Sequence, residues 1–412
     1  MNVPGPSRWA ATPAHVSDSP GGLAAGFRAS GVACGLKPSG ATDLALLHCD
    51  ATGPVASAAR FTRSGVLAAP VLLCQESCQL DGLRAVVANA GNANAATGPA
   101  GLHAAARTQQ AAAEALGLVP AQVAVASTGV IGVPLDTECI TGALPAAVAA
   151  LSGDDEPFAQ AIRTTDAWVK RAALDVELPS GRVRLSAQAK GAGMISPGFA
   201  TLLCFVQTDA AMSAETAELL LGVCVKRTFE RISVDGQLST NDTVLLMAGG
   251  ASGVHVAPES EDELRLGEAL DALLRRLALL VVADGEGARR IARVVVSGGH
   301  EDAVQRTART VANSPLVKSA LHGGDPNWGR IAQAVGKALP GTAPLAFDVW
   351  IEDVKVCAAG TALAHDQRAL AAAVSGPEVE YAVALPGAGH EAELFFSDLS
   401  HEYVTINAEY TT

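Results

Sequence analysis

One threonine stands where a glycine-rich loop runs into an apolar segment, and it is the best candidate nucleophile of the 412-residue chain. Residues 190–201 read Lys-Gly-Ala-Gly-Met-Ile-Ser-Pro-Gly-Phe-Ala-Thr, and a short apolar run of strand type follows at residues 202–206. The glycines allow the loop to bend so that the Thr201 hydroxyl can attack the carbonyl carbon of Ala200. Cleavage there would leave Thr201 as a new N-terminus, and its α-amine, with a pKa of roughly 8, could activate its own hydroxyl. The commoner meaning of such a threonine is a β-branched residue that simply fits a strand.

Three further polar segments stand between apolar ones. Residues 127–132, Ser-Thr-Gly-Val-Ile-Gly, follow a predicted strand at residues 123–126. A turn of small residues at a strand end can present backbone N–H groups to a developing oxyanion, although most such turns are only turns. Residues 89–94 carry three asparagines, which favour either a turn or a polar pocket, and residues 233–243 form a dense polar run.

Other kinds of chemistry find little support in the residue pattern. Residues 191–196 carry two of the three dinucleotide-fold glycines but precede a strand, and neither a complete phosphate loop nor a Gly-x-Ser-x-Gly elbow is present. The nine histidines are dispersed without a His-Glu-x-x-His motif. The eight cysteines show no zinc-site spacing. We expect no metal site, and we expect reduced, packed thiols.

Composition restricts the class of protein. The net charge of −13 argues against nucleic acid as a partner, which requires clustered Lys and Arg. No stretch has the 18 or so consecutive apolar residues of a membrane span, so no membrane partner is expected. The first 25 residues lack the pattern of a secretion signal, and their four prolines indicate a loose N-terminal arm over residues 1–25. These features together predict a cytoplasmic protein.

Secondary-structure patterns predict the fold class. Residues 101–116 read as a helix that ends at Gly117, and Ser260 with Glu263 forms a capping box before a long helix. Residues 66–74 read as a strand, and the last 20 residues read as a pair of strands. Predicted helices and strands alternate irregularly and show no fixed repeat. This mixture predicts an α/β protein of packed layers.

Six separated motifs occur in the order found in one known family. They lie at residues 127–132, 164–166 (Thr-Thr-Asp), 190–201, 284–287 (Asp-Gly-Glu-Gly), 325–330 (Asp-Pro-Asn-Trp-Gly-Arg) and 407–412 (Asn-Ala-Glu-Tyr-Thr-Thr). From Gly26 to its C-terminus, the chain resembles the ornithine acetyltransferase family, also called bifunctional glutamate N-acetyltransferases.

The resemblance implies a layered α/β fold that cleaves itself between Ala200 and Thr201 into an N-terminal chain, residues 26–200, and a C-terminal chain, residues 201–412. Thr201 would be the nucleophile, and Thr128 and Gly129 would form the oxyanion hole. The positions implied to contact the substrate are Thr164, Lys190, Thr201, Glu286, Asn407 and Thr412.

The implied activity is acetyl transfer in arginine biosynthesis. In a ping-pong reaction, Thr201 would take the acetyl group from N2-acetylornithine and pass it to glutamate, with no metal or organic cofactor. Some family members also use acetyl-CoA as the donor. Strand pairing across the cut should keep the two cleavage chains associated, and the resemblance further implies that two such units pair into a heterotetramer.

Several residues depart from the family pattern and leave the exact activity open. Gln237 and Leu238 replace Asp and Thr, Gly324 stands where an acidic or small residue is usual, and Phe199 replaces Met. If these positions border the pocket, the enzyme could transfer acyl groups between other N-acylated diamino acids. The residue pattern is also compatible with a self-processed aminopeptidase and with an inactive binding protein.

Overall fold

The structure, a computed structural model, describes residues 5–196 and 202–409. Its strands are β1 (Val16–Asp18), β2 (Phe27–Val32), β3 (Leu44–Cys49), β4 (Ala56–Phe61), β5 (Ala85–Asn92), β6 (Val123–Val130), β7 (Lys170–Leu178), β8 (Gly181–Lys190), β9 (Leu203–Thr208), β10 (Ile232–Ser233), β11 (Thr243–Ala248), β12 (Ile291–Ser297), β13 (Asp348–Ile351), β14 (Val354–Ala358), β15 (Thr361–Ala362), β16 (Glu378–Ala384) and β17 (Glu391–Ser397). Its helices are α1 (Ala69–Ser77), α2 (Gly98–Leu116), α3 (Thr137–Ala149), α4 (Glu156–Ala161), α5 (Ala214–Arg227), α6 (Glu261–Ala283), α7 (Glu301–Ala312), α8 (Pro315–Gly323), α9 (Trp328–Ala338), α10 (Gln367–Ala373) and α11 (His401–Glu409). The predicted mixed α/β class is confirmed.

The first two sheets pack face to face between two layers of helices. One has six strands in the order β1-β7-β8-β9-β11-β4, and the other has four in the order β2-β3-β5-β6. Successive strand residues face opposite sides, so Cys204 and Val206 pack with α5 and α6, whereas Leu203 and Phe205 pack against the four-stranded sheet. Helices α2 and α3 cover the far face of that sheet. Every residue of β9 is therefore buried.

The third sheet forms a separate layer near the C-terminus. Its seven strands run in the order β10-β17-β12-β16-β13-β14-β15. Apolar residues of α7, α8, α9 and α10 pack against one face of this sheet. On the other face, Phe395 joins the core that contains α5 and α6, which attaches this layer to the six-stranded sheet.

The structure of the N-terminal segment differs from the prediction. Residues 1–25 were predicted to be a loose arm, but strand β1 pairs antiparallel with β7 through the register Val16↔Val176. Val16 is buried, and Trp9 packs against Phe395 with ring centroids 5.5 Å apart. Proline is tolerated next to an edge strand, and the edge of β7 offers unpaired backbone groups that β1 satisfies. Among the described residues, no helix has the length and apolar character needed to cross a membrane.

Candidate active site

One pocket brings together residues that are far apart in the sequence. It lies where the ends of β6 and β8 meet the loops that follow α4 and α6. The residues that line it are Ala93, Thr128, Gly129, Ile131, Thr164, Thr165, Lys190, Gly193, Met194, Ser239, Thr240, Asn241, Glu286 and Asn407. All six described positions that the sequence predicted for the site are among them. Ala200, Thr201 and Thr412 lie outside the described residues.

Gly129 is required by a close approach of two strands. Strands β5 and β6 run parallel, and their register shifts at Gly91 and Asn92. Gly129 has φ = 134°, and a Cβ atom there would lie 2.4 Å from the carbonyl carbon of Gly91. Only glycine fits this position. The shift in register ends the regular pairing of β5 with β6 at the point where Thr128 lines the pocket. The oxyanion role of Thr128 and Gly129 stays a prediction.

Three asparagines, two in the last part of β5 and one just after it, support the end of β6. The Ser127 hydroxyl donates to Asn89 Oδ1 at 2.6 Å, and Asn92 Nδ2 donates to the carbonyl oxygen of Val133 at 3.1 Å. Asn94 donates its backbone N–H to Asn92 Oδ1 at 2.7 Å. Of residues 89–94, only Ala93 lines the pocket. Neither predicted meaning holds for the whole segment, because residues 89–92 belong to strand β5 and the asparagine side chains do not line the pocket.

Lys190 is the last residue of β8, and its side chain is almost fully buried beside the pocket. Its Nζ donates a hydrogen bond to Thr128 Oγ1 at 3.3 Å. Burial lowers the pKa of Lys190, because charged ammonium loses its hydration, and the carboxylate of Asp166 opposes that effect. In the β8–β9 pairing, Lys190 stands opposite Leu203, so the pocket lies close to the start of β9.

Glu286 provides the opposite charge on the same pocket. Its backbone N–H donates to the carbonyl oxygen of Ala192 at 2.9 Å, and its Oε2 accepts from Asn407 Nδ2 at 2.7 Å. A Cβ atom on Gly193 would lie 2.7 Å from Glu286 Oε1, so this glycine leaves room for the carboxylate. A pocket with one ammonium and one carboxylate suits an amino acid, which carries both charges.

The polar run at residues 233–243 holds the loops around the site, a role that sequence reasoning missed. Asn241 Nδ2 donates to the carbonyl oxygens of Ala93 at 2.6 Å and Ser127 at 2.9 Å, which ties together the ends of β5 and β6. The buried Asp242 carboxylate accepts the backbone N–H of Leu202 at 3.0 Å. Burial raises the pKa of Asp242 well above its ordinary value. The signal available in the sequence was the density of polar residues between two apolar segments.

The same run also holds the other side of the predicted cleavage loop. Asp235 accepts the backbone N–H groups of Met194 at 2.7 Å and Ile195 at 3.0 Å. Two carboxylates of one short segment, those of Asp235 and Asp242, therefore anchor the chain just before and just after residues 197–201.

The residues that depart from the family pattern lie mostly away from the pocket. Gln237 and Leu238 are exposed and do not line it, although the next residue, Ser239, does. Gly324 ends helix α8 in the left-handed conformation, with φ = 63°. Phe199 lies outside the described residues. In the described part of the chain, no cluster of His, Cys, Asp and Glu has the arrangement of a metal site.

Comparison with known proteins identifies the family of the chain. The ArgJ family model matches residues 28–412. The arginine biosynthesis bifunctional protein ArgJ of Symbiobacterium thermophilum is 42% identical over 394 residues, which cover 94% of this chain and 97% of that protein. The protein of the same description from Nitratidesulfovibrio vulgaris is 43% identical over 397 residues, covering 93% and 98%.

Among solved structures, an ornithine acetyltransferase from Mycobacterium tuberculosis, crystallised with ornithine, is 38% identical. The match covers 45% of this chain and 99% of that one, with a TM-score of 0.42. The chain belongs to the ArgJ family, the ornithine acetyltransferases that its motifs resemble, and is an acyltransferase of arginine biosynthesis.

Proposed function

We propose that this enzyme transfers the acetyl group of N2-acetylornithine to glutamate through an acetyl-Thr201 intermediate. The observation that carries the proposal is the single pocket in which Thr128, Gly129, Lys190 and Glu286 meet beside the start of β9. Thr201 is separated from that strand by one residue. The pocket thus combines a charge pair for an amino acid with the irregular end of strand β6, where small residues are suited to stabilising an oxyanion.

The proposal includes self-cleavage of the bond between Ala200 and Thr201. The Thr201 hydroxyl attacks the Ala200 carbonyl, the peptide nitrogen leaves as the α-amine of Thr201, and water hydrolyses the resulting ester. The anchoring of the loop supports this step, because Asp235 and Asp242 hold the backbone on its two sides. Holding both ends lowers the entropy that must be lost to align the hydroxyl with the carbonyl.

The two cleavage chains, residues 1–200 and 201–412, are expected to stay associated. In the six-stranded sheet, β9 and β11 belong to the C-terminal chain and lie between β8 and β4 of the N-terminal chain. Ladders from Leu185↔Thr208 to Lys190↔Leu203 and from Thr243↔Phe61 to Ala248↔Ala56 cross the boundary. Separating the chains would expose both ladders and the core between them. Pairing of two such units into a heterotetramer is part of the proposal.

Acetyl transfer then proceeds in two half-reactions. The Thr201 hydroxyl attacks the acetyl carbonyl of N2-acetylornithine and gives its proton to the Thr201 α-amine, which passes it to the departing amine of ornithine. Thr128 and Gly129 stabilise the oxyanion, while Lys190 binds the substrate carboxylate and Glu286 its side-chain amine. The amine of glutamate then attacks the acetyl ester, which releases N-acetylglutamate and restores Thr201.

A denaturing intact-mass spectrum, recorded before and after incubation with N2-acetylornithine, tests the proposal. We expect two fragments that separate after Ala200, with one acetyl group added to the fragment that begins with Thr201. Thr201→Ala should give one uncut, inactive chain, whereas Thr405→Ala, on the exposed face of α11, should behave as the wild type. A cleaved and active Thr201→Ala variant would contradict the nucleophile assignment.

The same samples distinguish this function from the competing ones. Release of ornithine with transfer of acetyl to glutamate supports the proposal. Release into water without transfer favours the aminopeptidase, and an acyl adduct formed only with other N-acylated diamino acids favours the specialised relative. A single uncut mass without an adduct favours the binding protein.

A further inference from the structure

The loop that carries Glu286 (residues 284–290, the Glu286 loop) and the helix that carries Asn407 start from neighbouring strands. Strands β12 and β17 pair antiparallel, with Ile291 opposite Ser397. In an antiparallel pair, the chain enters one strand beside the point where it leaves the other. The Glu286 loop therefore enters β12 at the place where the chain leaves β17 toward α11. The geometry of this side of the pocket depends on how these two segments are held together.

Asp398, the first residue after β17, joins the two segments. Its side chain is buried, and its Oδ1 accepts the backbone N–H groups of Arg289 at 2.9 Å and Arg290 at 3.2 Å. Its own N–H donates to the carbonyl oxygen of Arg290 at 3.0 Å. Its Oδ2 lies 2.6 Å from Nδ1 of His322 in α8, and because a carboxylate only accepts, the imidazole donates from Nδ1. One carboxylate thus connects the start of α11, the Glu286 loop and α8.

Two buried lysines hold the surroundings of this junction. Lys318 Nζ, on α8, donates to the carbonyl oxygen of Ser397, directly before Asp398. Lys170 Nζ donates to the carboxylate of Asp284, the first residue of the Glu286 loop. The loop is therefore held at its start by Lys170 and at its end by Asp398.

Helix α11 depends on this junction for its position. No residue of α11 is buried, and a short helix relies on tertiary contacts. The start of α11 rests on Gly287, where a Cβ atom would lie 2.6 Å from Glu402 Cβ and from Ser400 Oγ. Later in the helix, Asn407 Nδ2 donates to Glu286 Oε2 at 2.7 Å. The contact between Asn407 and Glu286 therefore requires that the start of α11 be fixed against the Glu286 loop.

We propose that Asp398 is a positioning residue that fixes Glu286 and Asn407 relative to each other, so that the Glu286 carboxylate meets the side-chain amine of N2-acetylornithine. Asp398 does not line the pocket, so it acts on the substrate through these two residues. The inference rests on the proposed function, in which Glu286 binds that amine. Its consequence is selectivity, because Asp398 contributes to the binding of a donor with a side-chain amine and not to that of a donor without one.

The test compares two acetyl donors that differ only in this amine, N2-acetylornithine and N-acetylnorvaline. Asp398→Ala removes the acceptor of two backbone N–H groups and should lower kcat/KM for N2-acetylornithine about tenfold or more, because hydrogen bonds to a charged group are strong. The value for N-acetylnorvaline should change little. Asp398→Asn keeps an oxygen for both N–H groups and should restore most of the loss. All rates are normalised to the fraction of cleaved chains.

A second variant tests the same junction without changing Asp398. In Gly287→Ala, the new Cβ would push the start of α11 away from the Glu286 loop and should cause the same selective loss, so the inference stays testable even if Asp398→Ala does not fold. The matched control is Asp209→Ala. Asp209 is a buried carboxylate that accepts the backbone N–H of Arg184 at 2.8 Å and does not line the pocket, so its loss should not change the preference between the two donors.

A Glu286→Gln background shows whether the effect passes through Glu286. In that background, Asp398→Ala should lower kcat/KM for N2-acetylornithine less than about threefold further, because the carboxylate that Asp398 positions has been neutralised. If the wild type prefers N2-acetylornithine, equal losses for the two donors, or an undiminished loss in the Glu286→Gln background, would overturn the inference and leave Asp398 a purely structural residue.

Hydrogen exchange measured by mass spectrometry gives a readout that needs no activity. Asp398→Ala should speed exchange in peptides that cover residues 286–292 and 399–409, because two backbone N–H groups lose their acceptor and α11 loses its attachment. Unchanged exchange would overturn the inference. Faster exchange in a protein whose wild type uses both donors equally, or forms no acetyl-Thr201 adduct, would uphold the positioning role while refuting the proposed function.

Discussion

The hydroxyl of Thr128 offers the sharpest test of the proposed chemistry. Thr128 Oγ1 accepts a hydrogen bond from Lys190 Nζ at 3.3 Å, so its own hydrogen is free to donate toward the pocket that it lines. Thr128→Val keeps the β-branched shape that suits strand β6 and removes only the hydroxyl. The change therefore deletes one proposed oxyanion donor and leaves the strand intact.

The Thr128 hydroxyl has two proposed roles, as an oxyanion donor and as the partner of Lys190, and the loss of each role should change the kinetic constants by a different amount. Loss of one oxyanion donor costs about 2.7–4 kcal/mol in the transition state, which lowers kcat about 100- to 1,000-fold. The bond to Lys190 is longer than the usual 2.7–3.2 Å, so its loss should cost about 1 kcal/mol and raise KM less than tenfold. The expected signature is a large loss in kcat with a small change in KM.

The assay is steady-state acetyl transfer from N2-acetylornithine to glutamate, normalised to the fraction of chains that intact-mass analysis finds cleaved. Thr108→Val is the matched control, because its buried hydroxyl in α2 donates to the carbonyl oxygen of Ala104 at 3.0 Å, on the opposite face of the four-stranded sheet. A Thr128→Val enzyme with kcat within about fivefold of wild type, or an equal loss in Thr108→Val, would refute the oxyanion assignment.

Three further changes test the framework of the site. Gly129→Ala should lower the free energy of unfolding, measured by thermal melts, by about 1–3 kcal/mol, because its Cβ would lie 2.4 Å from the backbone of β5. Gly142→Ala in α3 is the control, since a Cβ there would lie in open space and should not lower the stability. Asp242→Leu removes the oxygen that accepts the backbone N–H of Leu202 and should leave a large uncut fraction on denaturing gels. Asp242→Asn keeps an acceptor oxygen and should be cleaved. Complete cleavage of both variants would exclude an anchoring role for Asp242. Asn407→Ala removes the hydrogen bond that holds the Glu286 carboxylate and should raise KM for N2-acetylornithine about two- to tenfold. The change in kcat should be small, and initial-rate kinetics measures the two constants separately.

Local signals predicted many elements because the interactions behind them are local. Helix α2 ends at Gly117, whose left-handed conformation, φ = 68°, is the one that glycine favours. The Ser260 hydroxyl accepts the N–H of Glu263 at 3.2 Å, which confirms half of the predicted capping box. The Glu263 side chain accepts the N–H of Glu259 at 2.8 Å and not that of Ser260. Each of these contacts joins residues within one helical turn, so spacing in the sequence is sufficient to identify it.

Two segments were predicted wrongly for reasons that are not local. Residues 66–74 were expected to be a strand, but helix α1 begins at Ala69, since a short apolar run is compatible with either structure. The last 20 residues were expected to be two strands, but β17 is followed by helix α11. Asn407 on this helix reaches Glu286, a contact across 121 residues that adjacent side chains do not encode.

The sequence by itself determined the family, the candidate nucleophile at Thr201 and the chemical types that the site contains, because these depend on residue identity and short spacing. Only the tertiary structure decided that Lys190 and Glu286 line one pocket and that Lys170 contacts Asp284 across 114 residues. The physical reason is that the free energy of a charge depends on its burial and on its neighbours in space. Both are set by how the sheets pack.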